Sequence, residues 1–372
     1  MKREIVLRGS CQTDADMLYF TGVPVPDPFY AFTLRGRKCA LIGALELGRL
    51  SKGGRLDEIF DLSSLSRKYF PNGRADETAV LAKILKNARV RGLLVPQNFP
   101  ALQLERLRAA GFDVAVADAP ILPERDVKSA RELAEIEKAN AVAAKGFARI
   151  AQILRESEVS DGKLVWRNRT VSSQLLRFEV ESAALAEGAD AMYTIVAGGN
   201  QACDPHEVGH GAILPNSLIV ADIFPRLRSS GYFGDMTRTF LKGTPSDAQA
   251  RLVETVAAAQ RLALSKIRDG AEGSEIHADV DDFFAENGYY TEFRKGAWGG
   301  FFHSTGHGVG LDIHEKISIS PRKCKLRSGN VVTVEPGLYY RGIGGCRIED
   351  TVVVRKTRAR KLSNYPYDWV IK

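Results

Sequence analysis

Two hairpin-like segments place acidic residues inside apolar strands, and this feature constrains the fold more than any other. Residues 217–241, SLIVADIFPRLRSSGYFGDMTRTFL, hold Asp222 and Asp235 on either side of a Ser-Ser-Gly turn. Residues that face each other across an antiparallel hairpin have numbers with a constant sum, and this pair averages to a point between Arg228 and Ser229, close to the turn. We therefore expect the two acids to face each other, with Cβ atoms about 4.5–5.5 Å apart.

A second segment repeats this plan. In residues 330–354, NVVTVEPGLYYRGIGGCRIEDTVVV, Glu335 and Glu349 average to Gly342 within a glycine-rich turn. In both segments a threonine follows the second acid by two residues. The repetition predicts a duplicated hairpin whose two copies meet face to face, with Pro336 perturbing the second ladder.

Four acids in apolar strands require neutralisation. A single acid in a strand usually faces solvent, but four acids placed in pairs at opposed positions are a different pattern. Buried carboxylates repel one another unless they are protonated or paired with cations, because isolated buried charge is very costly. The sequence therefore predicts a pair of metal ions held by these side chains.

Three histidines lie within the glycine-rich stretch 299–315, GGFFHSTGHGVGLDIHE, as His303, His307 and His314. The first two have the spacing of the helical zinc-protease motif, but that motif needs Glu where this chain has Ser304. The many glycines also disfavour a helix. The glycine clusters resemble dinucleotide-binding loops, yet neither follows a strand and opens a helix, so that interpretation is rejected too. Three histidines beside a carboxylate cluster predict a functional site.

Together these residues resemble the pita-bread metallopeptidases of family M24, which include methionine aminopeptidase, Xaa-Pro aminopeptidase and prolidase. The residues that match the metal ligands of this family are Asp222 in VADIF, Asp235 in GDMTRTF, His307 in HSTGHGVGLDIHE, Glu335 in TVEPGLY and Glu349 in RIEDT. The resemblance implies that Asp235 and Glu349 bridge two divalent metals, Asp222 binds one, and His307 with Glu335 binds the other. Family habit favours Mn²⁺ or Co²⁺, and the ligand types also suit Zn²⁺ or Fe²⁺.

Further roles are implied by the same resemblance. Glu335 matches the residue that takes a proton from the attacking water and passes it to the leaving nitrogen. His303 and His314 match histidines that line the substrate site and steady the substrate or the tetrahedral intermediate.

Two other residues near the predicted ligands have counterparts in the family. In DPHEVGH we select His206 over His210, because its distance of 16 residues before Asp222 is close to the family's usual spacing. Arg347 matches an arginine that orients a ligating carboxylate.

The motifs EPGLYY and GGCRIED resemble the proline-peptidase branch, which implies hydrolysis of an N-terminal Xaa-Pro bond. Retention of all five ligands argues against the creatinase branch. Prokaryotic prolidases often carry an arginine for the dipeptide carboxylate where this chain has Ser318, and Lys316 or Arg322 is left as a replacement. This departure favours an aminopeptidase over a dipeptidase without deciding between them. An aminopeptidase of other specificity and a non-catalytic pita-bread binding protein stay as alternatives.

The predicted fold class is α+β, with two domains. Residues 1–124 form a smaller α/β, creatinase-N-like domain, and residues 125–372 form the pita-bread catalytic domain with the duplicated hairpins. Ser129 and Glu132 form a capping box at the start of a long helix that opens the second domain. After residue 193 we expect mostly strand and turn. Predicted helices cover 76–87, 101–110, 129–154, 172–187 and 247–268, and predicted N-terminal strands cover 38–43, 90–96 and 113–116.

Composition limits the partners and the location. The 372 residues are 44% hydrophobic and 26% charged, as in soluble globular proteins, with no apolar run of membrane-spanning length. A start without an apolar signal region and five scattered cysteines predict a cytoplasmic protein. The net charge of +7 lacks a long basic run, so nucleic acid is an unlikely partner. Analogy with the family suggests a homodimer acting on peptides with proline at the second position.

Overall fold

The computed structural model describes residues 3–73, 76–294 and 296–372. The chain divides into two compact units, Met1–Arg125 and Asp126–Lys372. Within the described ranges, no helix combines the length and the apolar character needed to cross a bilayer.

The first unit is a mixed sheet flanked by helices. Its strands in the described ranges are β1 (Glu4–Gly9), β2 (Phe29–Leu34), β3 (Arg37–Ile42), β4 (Glu58–Asp61), β5 (Gly92–Val95) and β6 (Asp113–Val116). Its helices there are α1 (Ala15–Thr21), α2 (Ala44–Gly53), α3 (Leu62–Tyr69), α4 (Glu77–Asn87) and α5 (Ala101–Ala109). The sheet order is β4-β3-β2-β1-β5-β6, and apolar side chains such as Phe32, Leu81 and Leu93 fill its core.

Four helices of the second unit are α6 (Ala130–Glu156), α7 (Ser173–Ala186), α8 (Asp247–Lys266) and α9 (Gly273–Glu286). Helix α6 begins at the predicted capping box, in which Ser129 and Glu132 bond each other's backbone N–H groups. The expectation of mostly strand and turn after residue 193 is wrong at α9. The helix buries Ile276, Val280 and Phe284, whose spacing of four residues is the helical signal that the sequence analysis overlooked.

The strands of the second unit in the described ranges form two larger sheets and several short pairs. They are β7 (Glu158–Ser160), β8 (Lys163–Trp166), β9 (Arg169–Thr170), β10 (Ala189–Asp190), β11 (Ile195–Gly198), β12 (Ile219–Ile223), β13 (Arg226–Leu227), β14 (Met236–Lys242), β15 (Glu292–Arg294), β16 (Ala297–Gly299), β17 (Gly306–Gly308), β18 (Glu315–Ile319), β19 (Val331–Val334), β20 (Gly337–Tyr340), β21 (Gly344–Arg347), β22 (Asp350–Val353), β23 (Arg360–Lys361) and β24 (Val370–Ile371). The larger sheets have the orders β11-β12-β14-β24 and β18-β17-β19-β22-β23.

The register of the first predicted hairpin differs from the expectation. Asp222 on β12 faces Thr237 on β14, so it does not face Asp235 directly. This register centres the turn between Ser229 and Ser230, one position later than predicted. A shift of two residues along one strand preserves the face on which a side chain lies, since side chains alternate along a strand. The two aspartates therefore still point to the same side.

The second hairpin has the predicted register. The β19–β22 and β20–β21 ladders, on either side of Pro336, share one alignment. That alignment places Glu335 opposite Glu349 in the gap between the ladders. The proline thus interrupts the ladder at the two acids, as predicted.

The two hairpins meet through their threonines. Thr237 Oγ1 donates a hydrogen bond of 2.6 Å to Glu349 Oε2, and Thr351 Oγ1 donates one of 2.6 Å to the backbone oxygen of Asp235. The Glu349 N–H also donates to the Thr237 carbonyl at 3.1 Å. The predicted face-to-face arrangement of the copies is therefore confirmed.

Helix α6 supports the first hairpin from behind. A Cβ atom on Gly234 would lie 2.5 Å from the backbone nitrogen of Asn140, so a larger residue cannot occupy this crossing without displacing the backbone. The Asp235 N–H donates to Asn140 Oδ1 at 3.0 Å. The close approach of α6 thus fixes the backbone at Asp235.

Candidate metal centre

The five predicted ligands line one cavity of about 590 Å³ in the second unit. Ligand atoms of Asp235, His307 and Glu349 lie within 4.8 Å of one another. The His307 Nε2 atom is 3.5 Å from Asp235 Oδ2 and 3.3 Å from Glu335 Oε1. The hairpins bring Asp222 to the same cavity. Four carboxylates and one imidazole therefore converge on a single space.

His307 presents a neutral nitrogen to these carboxylates. Its Nδ1 donates to the Gly308 carbonyl at 3.2 Å, because a carbonyl can only accept, and this leaves the Nε2 lone pair facing the acids. Burial lowers the pKa of His307, which favours the neutral ring. The His307 N–H donates to Thr333 Oγ1 at 3.0 Å, and that hydroxyl donates to Glu335 Oε1 at 3.1 Å. Lone pairs that face one another in this way repel unless a proton or a metal cation lies between them.

Burial disfavours the charged forms of the carboxyl groups in the cavity. Burial, followed by the negative charge of neighbouring acids, raises the pKa values of Asp235 and Glu349 well above their usual range. Burial raises the pKa of Glu335 to about 7. Asp222 Oδ1 is buried and has no hydrogen-bond partner among the described residues. Oxygen-rich ligands with one imidazole suit divalent cations, so this donor set fits divalent metal.

Arg347 holds the fourth acid in place. Its side chain is 4% exposed, and its Nη2 donates to Asp222 Oδ2 at 2.8 Å, as expected for an orienting arginine. Its Nη1 donates to the Tyr339 hydroxyl at 3.0 Å. Burial raises the pKa of Tyr339 to about 12, so the hydroxyl stays protonated. Sequence reasoning did not select Tyr339, although it lies within the EPGLYY motif.

His303 lines the cavity, but both of its ring nitrogens are already engaged. Nδ1 donates to the Ser304 carbonyl at 2.8 Å, and Nε2 accepts from the Tyr339 hydroxyl at 2.9 Å. Burial lowers the pKa of His303 to about 3, which keeps the ring neutral. These two hydrogen bonds fix the orientation of the His303 ring, with Nε2 as the acceptor from the Tyr339 hydroxyl.

The other histidines differ in their availability. The His314 ring lies edge-on to His307 with centroids 4.3 Å apart, and among the described residues neither of its ring nitrogens has a hydrogen-bond partner. His206 lines the cavity. His210 lies outside that lining, and its side chain is 70% exposed beside Glu207.

The residues considered for binding a substrate carboxylate lie elsewhere. Neither Lys316 nor Arg322 is among the described residues that line the cavity, and both are exposed. The hydroxyl of Ser318 is paired with that of Ser320 at 2.9 Å. Among the described lining residues, Arg347 is the one lysine or arginine.

The profile of metallopeptidase family M24 matches residues 134–356. A Xaa-Pro dipeptidase from Pyrococcus horikoshii is 34% identical over 280 residues, which cover 74% of this chain and 73% of the relative. The structure of a Xaa-Pro dipeptidase from Bacillus anthracis superposes with a TM-score of 0.83 at 24% identity, covering 99% of this chain and 95% of that one. An X-Pro aminopeptidase from Thermotoga maritima gives a TM-score of 0.81 at 23% identity, with coverages of 98% and 97%.

These similarities extend over most of the chain and agree with the architecture described above. They confirm the predicted α+β pita-bread fold and the prediction of a peptidase. The profile match alone spans more than half of the sequence. We conclude that this chain belongs to metallopeptidase family M24.

Proposed function

We propose that this protein is a dinuclear-metal-dependent peptidase that cleaves the bond between an N-terminal residue and a following proline. The observation that carries the proposal is the convergence of four carboxylates and one imidazole on one cavity. Relatives named Xaa-Pro dipeptidase and X-Pro aminopeptidase support the choice of substrate. A proline-preceding bond is a tertiary amide without an N–H, and peptidases that recognise that hydrogen cannot bind it in the usual way.

In this proposal Asp235 and Glu349 would contact both metals, Asp222 would hold one, and His307 with Glu335 would hold the other. The donor atoms suit Mn²⁺, Co²⁺, Zn²⁺ or Fe²⁺, and the resemblance to the family favours Mn²⁺ or Co²⁺. When bound, such a metal pair lowers the pKa of water toward about 7 and polarises a carbonyl oxygen.

The protein's own side chains would move the protons and hold the substrate. Glu335 would take a proton from the attacking water and return it to the leaving nitrogen. His314 has free ring nitrogens and would donate to the substrate carbonyl oxygen. His206 would contact the substrate from the cavity wall. His303 would instead orient the Tyr339 hydroxyl, because its own nitrogens are engaged.

A peptide panel tests the proposed function directly. The purified protein, loaded with Mn²⁺ or Co²⁺, is expected to release alanine from Ala-Pro and Ala-Pro-Ala and to leave Met-Ala-Ser intact, as measured by mass spectrometry. EDTA is expected to abolish cleavage. Cleavage of Met-Ala-Ser at a similar rate would favour an aminopeptidase of other specificity. No cleavage with any of the metals would favour a non-catalytic binding protein.

In the metal-free protein, the stability contributed by Glu335 is expected to fall as pH rises. A carboxyl group whose pKa is higher in the folded chain binds more protons when folded, so its stabilising effect is complete below the unfolded pKa and is lost as pH rises through the folded pKa. For Glu335 this window runs from about 4.3, the usual value for glutamate, to about 7. The expected loss from this group is roughly 3 kcal/mol across the window.

Thermal unfolding in EDTA at pH 5, 6, 7 and 8 measures this effect, with Mn²⁺-loaded protein as the reference. In EDTA, raising the pH is expected to destabilise the wild-type chain relative to the Glu335→Gln variant, because the variant lacks this titrating group. An identical dependence of the melting temperature on pH in the two proteins would contradict the prediction.

A further inference from the structure

A pair of large aromatic rings is exposed on the short hairpin formed by β15 and β16. Phe293 and Trp298 face each other across the two strands, with ring centroids 5.4 Å apart. Their exposed fractions are 60% and 53%. Exposed apolar surface of this kind commonly marks a binding site. We call these two residues the aromatic pair.

The aromatic pair is continuous with the wall of the cavity. The Trp298 ring lies 6.5 Å from that of Phe302, which lines the cavity. The Phe302 ring in turn lies 5.3 Å from Tyr339 and 6.3 Å from His303. An unbroken series of rings therefore runs from the exposed hairpin to the proposed catalytic centre.

The hairpin is fixed to that wall by its backbone. Gly300, just after β16, exchanges hydrogen bonds with Tyr339 at 3.0 and 3.2 Å. Gly300 has φ +97°, and a Cβ atom there would lie 2.6 Å from the Thr291 Cα, so glycine is required. Thr291 Oγ1 donates to the Phe301 carbonyl and accepts from the Phe301 N–H. The aromatic pair is thus held at a set position beside the cavity.

The direction of a bound peptide follows from the proposed reaction, on which this inference rests. Only one residue of the substrate precedes the scissile bond, and that bond must lie at the carboxylates. Any part of the peptide that reaches beyond the cavity must therefore come after the proline. The aromatic pair lies outside the described lining of the cavity and next to Phe302, so in the proposed reaction the downstream part of a peptide would extend to it.

We propose that Phe293, Trp298 and Phe302 form a subsite for an apolar or aromatic side chain at the third position of the substrate. The enzyme would then favour peptides longer than two residues. The cavity lining supports this choice, because its one described lysine or arginine, Arg347, already bonds Asp222 and Tyr339 and is not free to bind a dipeptide carboxylate. An aromatic surface instead suits an apolar side chain of a continuing chain.

Steady-state kinetics on Ala-Pro-Phe and Ala-Pro-Ala test the subsite. The wild-type enzyme is expected to prefer Ala-Pro-Phe, and Trp298→Ala is expected to lower kcat/KM for that peptide by roughly tenfold, mainly through KM. The same variant should change kcat/KM for Ala-Pro-Ala by less than twofold. Trp298→Phe should retain most of the preference. Phe178→Ala is the matched control. It removes an aromatic side chain of similar exposure, 63%, on α7 and should change kcat/KM for neither peptide.

Binding without turnover separates this inference from the proposed function. Calorimetric titration of Glu335→Gln is expected to give roughly tenfold tighter binding of Ala-Pro-Phe than of Ala-Pro-Ala, and Trp298→Ala in that background should remove the difference. If the wild-type protein cleaved no peptide but Glu335→Gln still bound Ala-Pro-Phe more tightly, only the proposed function would be rejected. If Trp298→Ala lowered kcat/KM equally for both peptides, the subsite proposal would be wrong. A change from dimer to monomer in Trp298→Ala, measured by light scattering, would assign the aromatic pair to a second copy of the chain and also overturn it.

Discussion

Replacement of Glu335 by glutamine is expected to lower kcat by about a thousandfold, within the range for loss of a general acid–base group. Glutamine has nearly the same shape and can still accept the hydrogen bond that Thr333 Oγ1 gives to Glu335 at 3.1 Å. It cannot take a proton from water near neutral pH. The substitution therefore removes the proposed proton transfer while preserving the local packing.

Rates on Ala-Pro-Ala, metal content by mass spectrometry and the melting temperature together measure this effect. Glu275→Gln, in the first turn of α9, is the matched control and should leave the rate unchanged. If Glu335→Gln bound its metals fully and kept a tenth or more of the wild-type rate, another group would have to move the proton.

The sequence was sufficient to select the acids because burial makes them conspicuous. An acid in an apolar strand is costly unless it is neutralised, and four such acids in two repeated segments leave few explanations. The second hairpin could be aligned from residue numbers because one register continues on both sides of Pro336. The repeated threonines also signalled the contact between the copies, which Thr237 and Thr351 make.

Other features depend on geometry that residue spacing does not contain. The register of the first hairpin depends on where its turn is centred, which is between Ser229 and Ser230. A shift of this centre by one position changes the residue that faces Asp222 by two positions. Tyr339 is one of two adjacent tyrosines in its motif, and alternation along β20 decides which one contacts His303 and Arg347. The engagement of the Nε2 atom of His303 follows from that choice. No residue pattern near His303 predicts it.

Replacement of Arg238 by leucine is expected to destabilise the folded chain by about 3–5 kcal/mol, because it removes the buried cation that pairs with Asp350 and leaves that acid only the part-exposed Lys361. The Arg238 side chain is 3% exposed and donates to Asp350 Oδ1 at 2.9 Å. It also donates to the carbonyl oxygens of Glu349 at 2.6 Å and Tyr365 at 2.9 Å. Burial by itself would raise the pKa of Asp350, but the positive charges of Arg238 and Lys361, together with side-chain hydrogen bonds, lower it below its usual value. Arg238 thus connects the C-terminal segment, at Tyr365, to the backbone of Glu349, which is a proposed metal ligand.

Urea unfolding of the metal-loaded protein measures the free energy of unfolding for this variant. Arg238→Leu combined with Asp350→Leu is expected to recover part of the loss, since it removes both buried charges and leaves only the part-exposed Lys361 without its partner. Lys266→Ala is the control for an exposed pair, because Lys266 and Asp279 are 39% and 38% exposed, and it should cost less than about 1 kcal/mol. A double variant as unstable as Arg238→Leu alone would mean that the carbonyl contacts of the arginine, rather than its charge pairing with Asp350, hold the C-terminal segment.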